Sequence, residues 1–173
     1  WNSELTLPTN QQTAPAAVEK PPLRPFLPAE QVWLVTLDAP PRAGGAMDAD
    51  LVFIPLGPRR DDASAPAAGT ERIVALERET GELRWMQALS SVWPPALGHG
   101  RLLVAASDGL HALDPSTGEP LWHVALSGPV LAAPEVAGEL FVVLTAAEGL
   151  VARRARDGTG VWQAGLGVVG GGV

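Results

Sequence analysis

Apolar positions along this chain fall in short bursts, and no stretch repeats them at the three-or-four spacing of an amphipathic helix. Residues 72–76 and 109–113 are apolar runs of strand character, each followed by a turn that holds a glycine. Beyond the first of these turns, residues 82–89 alternate polar and apolar side chains for several residues, the period of a strand with one wet face. The turns read Glu79-Thr80-Gly81, Ser116-Thr117-Gly118 and Arg156-Asp157-Gly158, and their glycine supplies the positive φ of a tight hairpin. A second pair of strands precedes each of these pairs. Residues 92–97 lead through Gly98-His99-Gly100 into 101–105, and residues 131–136 lead through Ala137-Gly138 into 139–144. Each unit therefore predicts four short strands. Pro94, Pro95 and Pro134 fall in the first strand of their units, and a residue without a backbone N–H places that strand at a sheet edge.

The units are copies of one another. Ala75, Gly81, Trp85 and Leu89 recur as Ala112, Gly118, Trp122 and Leu126, and again as Ala152, Gly158, Trp162 and Leu166. A truncated copy remains as Trp33 and Leu37. Trp85 and Trp122 stand 37 residues apart, Trp122 and Trp162 stand 40 apart, and a repeat of that length is one supersecondary unit. A four-stranded sheet with two apolar faces cannot bury both alone, and stacking such sheets face to face around an axis buries them. One indole per sheet then packs against the small alanine of a neighbouring strand.

These residues resemble the repeat of the quinoprotein-like (PQQ-like) β-propellers, whose pattern is roughly Ala-x-Asp-x-x-Thr-Gly-x-x-x-Trp. Ala112, Asp114, Thr117, Gly118 and Trp122 match it throughout; the first copy has Glu77 in place of Asp, and the third has Arg154 there and Asp157 in place of Thr. The resemblance runs from about Val32 to Val173 and implies an all-β fold. That fold is a partial β-propeller of about three four-stranded antiparallel blades plus an extra N-terminal strand. Within the family are redox enzymes, assembly scaffolds of the BamB type and sensor domains, so fold alone does not select an activity.

The organisation expected along the chain follows. Residues 1–30 form a Pro-rich extended lead-in or tether, with Trp1, Leu5, Leu7, Leu23 and Phe26 as potential anchors. Residues 31–38 are the isolated Trp33 strand, which in closed propellers of this family completes the last blade. The blades are 39–89, 90–126 and 127–166, and residues 167–173 begin another. Residues 57–70, with Arg59, Arg60, Asp61 and Asp62, read as a surface insertion or a partner-binding loop. Three blades fall short of the roughly four to eight of a closed ring. The chain is expected to be a fragment of a longer protein, its open edges covered by the remaining blades or by a protein partner.

Composition removes several alternatives. A formal charge of −7 and a pI near 4.9, with no basic stripe, argue against nucleic acid. No apolar run approaches the roughly 18 residues of a membrane span. The start at Trp1 is compatible with a removed signal peptide or membrane anchor, the one expected link to a membrane. With no cysteine there is neither disulfide nor thiol chemistry.

No catalytic constellation emerges. His99 lies between two turn glycines, and His111 and His123 lie on successive strands of one blade, so packed or surface imidazoles are expected in place of metal ligands. Asp108, Asp114 and Asp157 belong to turns, where a carboxylate bonds its own backbone, and are not assigned to calcium. Gly170, Gly171 and Gly172 lack the Lys-Ser/Thr of a phosphate loop. Arg153, Arg154 and Arg156 form the densest basic cluster, a solvated strand end or a contact for an anionic partner. The enzyme branch of the resembled family holds pyrroloquinoline quinone and calcium across a complete ring and commonly uses adjacent cysteines, which this chain lacks. The expectation is therefore a non-catalytic propeller segment without a cofactor. It would act as a protein-interaction scaffold at the periplasmic or extracellular face, by analogy with the assembly branch. A fragment of a quinone-dependent dehydrogenase and a sensing domain of a membrane-anchored kinase are the alternatives.

Overall fold

The computed structural model describes residues 32–58, 71–91 and 93–165. The expectations for residues 1–30, for most of the 57–70 insertion and for the 167–173 tail lie outside the described residues. Within them there are twelve strands and no helix. β1 (Ala46–Met47), β2 (Leu51–Leu56), β3 (Arg72–Glu77) and β4 (Leu83–Gln87) form the first sheet. β5 (Ala96–Gly98), β6 (Arg101–Ala106), β7 (Gly109–Leu113) and β8 (Pro120–Val124) form the second. β9 (Glu135–Ala137), β10 (Leu140–Thr145), β11 (Gly149–Arg154) and β12 (Gly160–Ala164) form the third. Each is an antiparallel meander in chain order, and the three are successive blades of a partial β-propeller.

The blades match one another in detail. Ala75, Ala112 and Ala152 stand opposite Trp85, Trp122 and Trp162 in the ladder between third and fourth strands, and a register shift follows the alanine each time. A single isolated bridge opens each blade: Pro41 to Leu56, Ser91 to Ala106 and Val130 to Thr145. The first strands are shorter than the sequence predicts, because the prolines sit ahead of them. Pro94 and Pro95 precede β5 and Pro134 precedes β9, so continuous pairing starts only where N–H groups return.

Strand alternation distributes the core between blades. Phe53, Ile73 and Ala75 of the first blade meet Leu102, Val104 and Leu113 of the second, with Trp85 beside them. The intervening residues of the second blade, Leu103, Ala105, Leu110 and Ala112, meet Phe141 and Val143 of the third. The opposite face of the first blade, Leu56, Val74 and Leu76, is covered by Val35, Leu37 and Ala39.

That covering segment is the one expected as the isolated Trp33 strand. Residues 32–37 alternate exposed and half-buried side chains as a strand does, yet no ladder forms there. The third strand of a preceding blade, which would pair with it, is not among the described residues. The segment is held instead by packing and by the ion pair of Asp38 with Arg72.

Candidate functional site

The repeat residues come together as clasps between consecutive blades. In the first, Trp33 lies against Gly81, Trp85 against Gly118 in the second, and Trp122 against Gly158 in the third. A Cβ built on those glycines would stand 2.8, 2.6 and 2.8 Å from the ring. Each indole Nε1 then donates to the carbonyl three residues before the glycine: Arg78 at 2.7 Å, Pro115 at 2.8 Å and Ala155 at 3.0 Å. The alanine expected to receive the ring is thus its cross-strand partner in the same sheet, while the ring reaches onto the next blade's turn. Glycine serves twice there, since the three turn glycines also have φ between 72° and 76°. Trp93 adds a clasp the repeat pattern does not reveal, donating from Nε1 to the Val130 carbonyl at 3.1 Å.

The turns beneath the indoles are held by their own side chains. Thr80 and Thr117 accept from the amide two residues on, both at 3.2 Å. Asp157 takes the threonine's place in the third blade and accepts from the Thr159 amide at 3.0 Å. The donors on Thr159 lower the Asp157 pKa to about 2, with the Arg156 guanidinium adding to the effect. Asp114 accepts from the Ser116 amide and hydroxyl at 2.8 and 2.6 Å, and those bonds lower its pKa as well.

Among the described residues the series of clasps does not extend to Trp162. It faces Ala152 as its counterparts face theirs, but no described turn lies beneath it, and it is 44% exposed where Trp85 is 9%. By alternation and register, Leu140, Val142, Leu144 and Leu150 share its face of the third blade. Leu150 is exposed and the other three are half-buried, so the third blade presents an apolar face without a neighbour among the described residues.

Two polar clusters flank the second blade. His99, at φ 52° in the β5–β6 turn, bonds through its ring to the Gly138 carbonyl. With Arg101, Glu139, Arg154 and Arg156 it lines a cleft of about 430 Å³ between the second and third blades. Arg153 does not share this cleft and donates to the Gly158 carbonyl at 3.2 Å. At the β6–β7 turn, Asp108 receives the imidazoles of His111 and His123, which face each other across β7 and β8. The hydrogen bond from His111 lowers the Asp108 pKa, against a smaller opposing effect of burial.

The family model described as outer membrane protein assembly factor BamB matches residues 69–168. No curated protein matches the sequence. Among solved structures, BamB from Moraxella catarrhalis superimposes with a TM-score of 0.64 at 21% identity, over 80% of this chain and 42% of that one. A europium-containing methanol dehydrogenase superimposes with a TM-score of 0.56 at 18% identity, over 78% of this chain and 27% of that one. The computationally designed Ika4 protein gives 0.59 at 14% identity, covering 79% of each chain. The chain therefore spans less than half the length of either natural structure. At these identities the likeness is one of fold.

Proposed function

The chain belongs to the family described as outer membrane protein assembly factor BamB, and on that premise we propose that its blades are part of a non-catalytic interaction scaffold at the periplasmic or extracellular face. The observation that carries this reading is the third blade's face. Trp162 repeats the pairing with a cross-strand alanine seen at Trp85 and Trp122, with no glycine turn beneath it among the described residues, within an apolar surface of the kind that marks an interface. The occupant proposed for that face is a further blade of the same repeat. In support, the three preceding indoles each close on the turn of the following unit. The scaffold is thus the assembled propeller, with the cationic cleft between the second and third blades as a contact for acidic groups on a protein partner.

A photo-crosslinking residue at position 162 of the protein expressed from its intact gene tests the occupant. A cross-link within the same polypeptide, to a following repeat, is expected. A cross-link to another polypeptide, or none at all, overturns the assignment.

Two dehydrogenases among the similar folds, the methanol enzyme and a quinohemoprotein alcohol dehydrogenase from Comamonas testosteroni, keep a quinone-dependent reading as the second one. Titrating the intact protein with pyrroloquinoline quinone and calcium separates the two. The scaffold reading expects no cofactor absorbance and no alcohol-dependent dye reduction, and either signal would reject it.

A further inference from the structure

We propose that Asp108, His111 and His123 form a binding site for a borderline divalent transition-metal ion such as Zn²⁺. His111 and His123 are register partners on β7 and β8, so the ladder itself fixes their separation. Their rings lie with centroids 4.3 Å apart and inclined by 31°. Asp108, in the turn that leads into β7, closes the third side. Its Oδ1 is 2.8 Å from His111 Nε2, and its Oδ2 is 3.8 Å from His123 Nε2. One potential ligand atom from each residue lies within 4.8 Å of the other two.

Those separations suit a shared ion. Tetrahedral zinc with bonds of about 2.0–2.2 Å places neighbouring ligand atoms roughly 3.3 Å apart, between the two carboxylate distances here. Rotation of the two more exposed side chains equalises them, with His123 Nε2 giving up its 3.3 Å contact with the Asp108 carbonyl. Asp108 has a side chain 61% exposed and His123 one 44% exposed, whereas His111, at 16%, is the fixed member. Two imidazoles and one carboxylate favour zinc, nickel, copper or ferrous iron over calcium and magnesium, which prefer all-oxygen sets. Water completes the coordination. The ion would join β8, the outer strand of its sheet, to the β6–β7 turn.

The test is calorimetric titration of the chelator-treated chain with zinc chloride, repeated with cobalt chloride while following visible absorbance. Binding of about one ion per chain is expected, with the cobalt spectrum of a nitrogen- and oxygen-ligated site. His123→Gln and His111→Gln should each weaken binding about tenfold or more, and His99→Gln, outside the cluster, should leave it unchanged. If His111→Gln unfolds, the exposed His123 position decides. Absence of binding, or His123→Gln binding as tightly as the unaltered chain, overturns the site.

Discussion

Trp85 stands over Gly118 with its Cε3 atom 2.6 Å from where a Cβ would project, and its Nε1 donates to the carbonyl of Pro115 in the same turn. A methyl group at position 118 therefore meets the indole as well as the strain of φ 76°. Gly100 provides the comparison, since it has φ 65° but open space for 4 Å around the place a Cβ would take. Gly100→Ala should cost about 1 kcal/mol of backbone strain. Gly118→Ala should cost about 2 kcal/mol or more beyond that, because the indole must yield. Urea denaturation of the two variants measures the difference; equal losses would mean the indole gives way freely.

The clasps also predict unequal values for chemically identical indoles. Trp85 is almost fully buried, packs against Phe53 with ring centroids 5.8 Å apart and closes on the next blade. Its replacement by alanine should cost about 3–5 kcal/mol. Trp162 is exposed and holds no described turn, so Trp162→Ala in this chain should stay within about 1 kcal/mol. Thermal or denaturant unfolding of both variants checks the contrast, and similar losses would contradict the role given to the clasp.

Much of this is legible in the sequence because the repeat is local. The spacing of Ala112, Gly118 and Trp122 places the alanine and tryptophan opposite each other across one hairpin and the glycine at its turn, so fold class and blade arrangement follow from short-range chemistry. The destination of the indole is not legible. It is set by the angle at which successive sheets stack, which no position within one repeat records. Glycine's positive φ already accounts for the residue type, and the collision it avoids with Trp85 or Trp122 is hidden behind that first reason. The Asp108, His111 and His123 cluster escapes for a related reason. Without their register, His111 and His123 are separate strand residues, and Asp108 joins them from a turn.

Acid should loosen the third turn. Asp157 has its pKa lowered from 3.8 to about 2 by the hydroxyl and amide of Thr159, so the folded state binds its proton less readily than the unfolded state. The stabilising contribution is present above about pH 4 and is lost as the pH falls towards 2. Asp114, lowered chiefly by the Ser116 hydroxyl, acts in the same direction. Asp157→Asn keeps an acceptor oxygen for the Thr159 amide but cannot titrate. Its melting temperature should fall less steeply than that of the unaltered chain between about pH 4 and 2, and added salt should shrink the difference because the group is exposed. Identical pH profiles would show that the bond has no net effect.

The two ends of the blade series differ, and the difference predicts how this chain behaves alone. At the first blade, Val35, Leu37 and Ala39 lie over Leu56, Val74 and Leu76 and Trp33 closes on Gly81, so that only Leu83 and Met86 of its outer strand stay exposed on that face. At the third, Leu150 and Trp162 are exposed beside the half-buried Val142 and Leu144. Apolar area left in water on one face drives association through that face. Sedimentation velocity should therefore show a mass that rises with concentration, despite a formal charge of −7 that opposes contact between copies. Leu150→Glu with Trp162→Glu should suppress the rise, because both positions accept charge without disturbing the interblade cores, and far-UV circular dichroism should remain that of the unaltered chain. The same substitutions at covered positions, Val35→Glu with Leu37→Glu, should instead lower stability and expose the first blade. Association that persists in the Leu150 and Trp162 variant would move the sticky surface elsewhere and remove the asymmetry from the account.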